Sequence, residues 1–167
     1  SITVKSTEKR FDGFLKREDG EGPIGFLEIQ GYVDNNIYWR LIREICMWHE
    51  QNDSDTPFVA IVIFLEKKYD PGNCPFICAT PHRLIRVYLD ECLESIGNEP
   101  SVLTVLKPIV LKKKTELVKH VKQWKSEINS LNWPEDKTET LRELLEYAIL
   151  QRFPKLSLKE IQKMVQL

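Results

Sequence analysis

The chain has 167 residues, 42% of them hydrophobic and 29% charged, with a net charge of −1. That balance excludes a disordered chain, and the length suits one domain with a sizeable core. No apolar run approaches the roughly 20 residues of a membrane helix, no signal-peptide segment opens the chain, and four cysteines are too few for a disulfide scaffold; a reduced, cytoplasmic protein without membrane contact is expected.

The charge is unevenly spread. Residues 1–110 carry 12 Lys and Arg against 17 Asp and Glu, and residues 111–167 carry 12 against 8. Either the basic end is an ordinary solvated helical surface, or it faces a polyanion while the acidic part holds a cation.

In chain order, "ITVKS" reads as a first strand and "KRFDGFLKR" as a second, ending in the turn-rich "REDGEGP". "IGFLEIQGY" follows as a third. Gly20 and Gly22 lie in the short loop between the last two, which predicts a hairpin. Asp34 or Asn35 caps a helix over "NIYWRLIREICMWHEQN". Its residues Ile37, Leu41, Ile45 and Trp48 are spaced for one buried face. "PFVAIVIFLE" is nearly all apolar and β-branched, which predicts a central strand covered on both faces. A loop over residues 66–83 holds three prolines. "HRLIRVYLDE" alternates as another strand, with Leu84 or Ile85, Val87 and Leu89 inward. "SVLTVLKPIV" stays unassigned. Helices are predicted over roughly 112–130, 136–152 and 158–166, broken at Pro134 and Pro154, with Ser157 and Glu160 as a capping box.

Two carboxylates sit inside apolar strand-like runs: Asp12 in "RFDGFL" and Glu28 in "GFLEIQ". Burying a carboxylate on a strand costs free energy unless something pairs with it. Glu28 and Gln30, two apart, leave the strand by one face, and hairpin register brings Asp12 toward Glu28. Two close carboxylates repel unless they share a proton or a cation. With the backbone carbonyl of Ile29 they make the oxygen set that Mg²⁺ prefers. The competing readings are ion pairs: Asp12 with Arg10 or Arg40, Glu28 with Arg40 or Arg43, and Arg40 with Glu44 on its own helix.

The order Asp, Glu-x-Gln, helix, buried strand resembles the PD-(D/E)XK nuclease superfamily. More closely, "RFDGFL", "GFLEIQ", "IYWRLIREI", "VAIVIF", "IRVYLDE" and "FPKLSLKEIQKM" are similar to the recombination-promoting nuclease and transposase-like (Rpn-like) family, especially its cyanobacterial-type members, in which the lysine is commonly Gln. The resemblance covers nearly the whole chain. It implies that Asp12 and Glu28 hold the metal with the Ile29 carbonyl, and that Gln30 stands at the lysine position and places the nucleophile. It also implies that Tyr38 and Arg40 touch phosphate or support the site. Mg²⁺, with Mn²⁺ as substitute, and DNA are the implied cofactor and substrate. Gln30 departs from the lysine pattern, because a neutral amide cannot lend positive charge to a transition state. Family members also carry a helix before the first strand, and this chain begins at or near that strand, so a truncated or divergent form is expected.

Other chemistry finds little support. Cys74, Cys78 and His82, with Cys92 beyond them, contain zinc-ligand types, but the spacing is not the common Cys-x₂-Cys knuckle. An iron–sulfur cluster would need all four cysteines, and Cys46 lies mid-helix. No phosphate-binding glycine loop, G-x-S-x-G or H-E-x-x-H is present. Trp124, Trp133, Tyr147 and Phe153 suit a helical core.

The expected fold is α/β and restriction-endonuclease-like: a mixed central sheet flanked by helices over residues 1–110, then a helical region over 111–167. The expected function is Mg²⁺-dependent DNA endonuclease, with a homodimer as a possible assembly. The alternative is a catalytically inactive nuclease-fold module that binds or assembles. Convergence of Asp12, Glu28 and Gln30 in one open cleft favours the enzyme; an acid sealed against an arginine favours the module.

Overall fold

The structure is a computed structural model, and it describes residues 12–17, 20–72, 74, 83–157, 159–161 and 163. The chain divides into two compact units, one ending at Tyr88 and one beginning at Leu89. The boundary expected near residue 110 lies within the second unit.

Among the described residues the first unit is a four-stranded mixed sheet with one α-helix and a 3₁₀ turn (Lys67–Tyr69). β1 (Gly13–Leu15), β2 (Ile24–Gln30), β3 (Phe58–Phe64) and β4 (Leu84–Tyr88) lie side by side in chain order. β1 and β2 pair antiparallel, as the predicted hairpin requires, and Gly20 and Gly22 in its loop adopt the left-handed φ values of 74° and 95° that favour glycine. β2–β3 and β3–β4 pair parallel. A parallel pair needs a crossover, and helix α1 (Ile37–Gln51) makes it between β2 and β3. The strand expected at "ITVKS" lies outside the described residues.

α1 begins later than expected, with Asn36 as its N-cap. Asp34 instead folds an Asx turn ahead of the helix, its Oδ1 accepting from the Asn36 amide at 2.9 Å. Ile37, Leu41 and Ile45 are buried as their spacing predicts, and Trp48 packs partly buried beside them. They cover the sheet face formed by Phe26, Ala60, Val62 and Phe64.

Register decides which residues face α1. Phe26, Ala60 and Leu84 form one row across the sheet; Glu28, Val62 and Arg86 form the next; Gln30, Phe64 and Tyr88 form the third. Leu84 and Tyr88 therefore pack on this core. Val87, expected inward, stands on the opposite face, and Leu89 already belongs to helix α2 (Leu89–Ile96). On that opposite face Val59, Ile61 and Ile63 are half-buried, so β3 is closed fully on one face, not on both.

The second unit is helical. After α2 come a 3₁₀ turn (Val102–Leu106) and the short α3 (Lys107–Val110), which resolve the unassigned "SVLTVLKPIV". α4 (Leu117–Asn129) and α5 (Glu135–Arg152) follow close to the predicted spans. Pro134 is the N-cap of α5, and Ser157 and Glu160 form the predicted capping box, with the Ser157 amide donating to Glu160 Oε2 at 2.7 Å. Leu117, Val121, Trp124, Ile128, Leu141, Leu145 and Ile149 form this unit's core. Among the described residues no helix is long and apolar enough to cross a membrane.

Candidate active site

Paired residues of β1 and β2 run from Gly13↔Leu27 to Leu15↔Gly25. Carried one residue back, that register sets Asp12 opposite Glu28. Asp12 Oδ2 accepts from the Ile29 amide at 2.8 Å. In a strand the N–H and C=O of one residue point the same way, so the Ile29 carbonyl also faces the Asp12 side. Asp12 is exposed, whereas Glu28 is only 6% exposed.

Glu28 does not stand alone. Arg40, on the first turn of α1, brings Nη1 to 2.8 Å from Glu28 Oε1 and Nη2 to 3.2 Å from Asp34 Oδ2. Of the competing ion pairs, that between Glu28 and Arg40 is present. Burial pushes the Glu28 carboxyl above its ordinary pKa; Arg40 opposes this, and the carboxylates of Asp12 and Glu44 add to it. For Arg40, burial disfavours the charge, but Glu28, Asp34 and Glu44 outweigh it and hold the guanidinium more basic than usual.

Gln30 is 2% exposed and its amide is engaged at both ends. Nε2 donates to the Tyr32 carbonyl at 2.7 Å, and Oε1 accepts a long 3.5 Å bond from Arg40 Nη2. The side chain thus ties Arg40 to the end of β2. Asp12, Glu28, Ile29, Gln30 and Arg40 are brought together.

Tyr38 is not among them. Its hydroxyl donates to Asp70 Oδ1 at 2.6 Å, and Tyr88 donates to Asp70 Oδ2 at 2.7 Å. The Gly72 amide completes the set at 2.8 Å, and Arg86 stacks over the Tyr38 ring with its Nε 3.7 Å from Asp70. Burial opposes ionisation of Asp70, but these donors and the guanidinium hold its carboxyl below the ordinary value. This network fastens the loop after β3 to α1 and β4. Reading by sequence did not find it, because a lone acid in a Pro- and Gly-containing loop gives no periodic signal.

Glu44 was also not singled out as a site residue, although a signal existed: a buried acid lying in the apolar stripe of α1 between Leu41 and Ile45. Among the described residues no three Asp, Glu, His or Cys side chains group closely enough to hold a metal by themselves. A cation here would rest on Asp12, Glu28 and the Ile29 carbonyl, with water completing the shell, a set of hard oxygens that fits Mg²⁺. Cys74 is half-buried against the first unit's core, and Cys78 and His82 lie outside the described residues.

A family model described as "Protein of unknown function (DUF2887)" matches residues 1–165, and the chain belongs to this family. No curated protein and no solved structure matches the chain.

Proposed function

We propose that this DUF2887 family member is a Mg²⁺-dependent DNA endonuclease of the PD-(D/E)XK type, related to the Rpn-like recombination nucleases and acting in the cytoplasm. The observation that supports this most is the opposition of Asp12 and Glu28 across the β1–β2 hairpin, with the Ile29 backbone turned to the same side.

Asp12, Glu28 and the Ile29 carbonyl would hold the cation. When bound, it supplies Lewis-acid polarisation of the scissile phosphate and makes a water more acidic. The Ile29 amide orients Asp12 through Oδ2, and its other carboxylate oxygen would be available to a cation. Gln30 positions Arg40, and Arg40 supplies the positive charge that the neutral amide at position 30 cannot. The exposed Lys119 and Lys122 of α4 suit contact with DNA phosphates without sequence preference.

A second reading has its own support. Glu28 is buried and paired with Arg40 at 2.8 Å, the arrangement that favours an inactive module that binds or assembles. Mg²⁺ binding separates the two. Calorimetric titration of the chain with Mg²⁺ and Mn²⁺ gives saturable binding lost in Glu28→Ala if the enzyme reading holds, and no binding if the module reading holds.

A further inference from the structure

Tyr32, Val33 and Trp39 are the three most exposed large apolar side chains described in the first unit, at 64%, 56% and 60%. Tyr32 and Trp39 are each next to residues of the site. Tyr32 follows β2, its carbonyl pinned by the Gln30 amide at 2.7 Å, and it lies near enough to Arg40 to help raise that guanidinium's pKa. Trp39 directly precedes Arg40 on α1. Successive helical residues are 100° apart, so with Ile37, Leu41 and Ile45 facing the core, Trp39 and Arg43 fall on the solvent-facing side of α1, with Arg40 on the flank between them and the sheet. Both are exposed. Scattered surface aromatics need no explanation, but two of them next to the residues around Arg40 have a specific use if the site handles DNA. A base offers its flat face to an aromatic ring only when it is out of the duplex stack.

We propose that Tyr32 and Trp39 are stacking platforms for unpaired bases of a single DNA strand, whose phosphates run along Arg40 and Arg43. This rests on the reading of the site as one that handles DNA, and it names the substrate as single-stranded or locally unpaired. Duplex regions would be engaged only where they open.

The test is binding of the full chain, in EDTA and low salt, to three fluorescent 12-nucleotide probes: a base-bearing single strand, an abasic strand with the same phosphates, and a blunt duplex. The expected result is tighter binding of the base-bearing strand than of the abasic one, by about 5- to 150-fold per stacked base. Tyr32→Leu with Trp39→Leu should remove that preference, and Tyr32→Phe with Trp39→Phe should keep it. Equal affinity for base-bearing and abasic strands, preference for the duplex, or a preference that survives the leucine pair would overturn the proposal. Should the leucine pair fail to fold, the wild-type comparison of base-bearing with abasic strand decides. No cleavage enters this measurement. A base preference in a chain that never nicks DNA refutes the endonuclease and keeps the platforms; nicking without a base preference does the reverse.

Discussion

Arg40 Nη1 lies 2.8 Å from Glu28 Oε1, joining the first turn of α1 to the middle of β2. The pair links the two questions this site raises: how a buried carboxylate is tolerated, and whether it is available to a cation. Glu28 nevertheless sits above its ordinary pKa, because burial and the Asp12 and Glu44 carboxylates outweigh the guanidinium.

A group with a raised folded pKa contributes stability that is fully present below its unfolded pKa and lost as pH rises through the folded value. For Glu28 the lower limit is the ordinary 4.5. Glu28→Gln should therefore melt higher than the wild-type chain at pH 7.5, and the two should converge below about pH 4. Thermal melts across that range check this; a lower melting temperature for the variant at pH 7.5 contradicts it.

Arg40→Gln should separate binding from chemistry. Removing the cation that competes for Glu28 raises Mg²⁺ affinity, whereas on the endonuclease reading loss of its positive charge lowers the cleavage rate by about 10²- to 10³-fold. Calorimetry and a nicking assay on the same preparation read the two effects. Weaker Mg²⁺ binding in the variant would show that Arg40 supports the metal set.

Tyr38 acts through Asp70. Tyr38→Phe removes a hydrogen bond to an ionised group at 2.6 Å, and about 1.5–3 kcal/mol of stability should go with it. Asp70 has a lowered pKa, so its contribution is present above the ordinary 3.8 and fades as pH falls through the lower folded value. The loss should be the same with and without Mg²⁺ in urea denaturation. A loss seen only with Mg²⁺ would return Tyr38 to the site.

In the second unit, Lys107 Nζ is buried 2.6 Å from Glu127 Oε2, which also accepts from Thr104 at 3.0 Å. Lys107→Ala should cost about 3–5 kcal/mol, since it strands a buried carboxylate, and Lys107→Met with Glu127→Leu should recover most of that. Denaturant melts of the three chains decide it.

What could be read beforehand follows from which signals are local. The hairpin, the shared face of Glu28 and Gln30, the buried stripe of α1 and the Ser157–Glu160 capping box all rest on spacings within one or two elements. The break at Tyr88 was missed because the apolar pattern runs through it: Leu84, Tyr88, Leu89 and Leu93 suit a strand and then a helix without a Gly or Pro between. The tie from Arg40 to Glu28 and Gln30 depends on how α1 crosses the sheet, which a single sequence does not encode locally. Tyr38, two residues before Arg40, points instead to Asp70 32 residues on.

The most direct measurement is nicking of supercoiled plasmid by the purified chain in Mg²⁺, in Mn²⁺ and in EDTA, beside Glu28→Ala. Metal-dependent nicking that disappears in Glu28→Ala is the predicted result. Folded wild-type chain that leaves the plasmid intact in both metals would contradict the endonuclease reading.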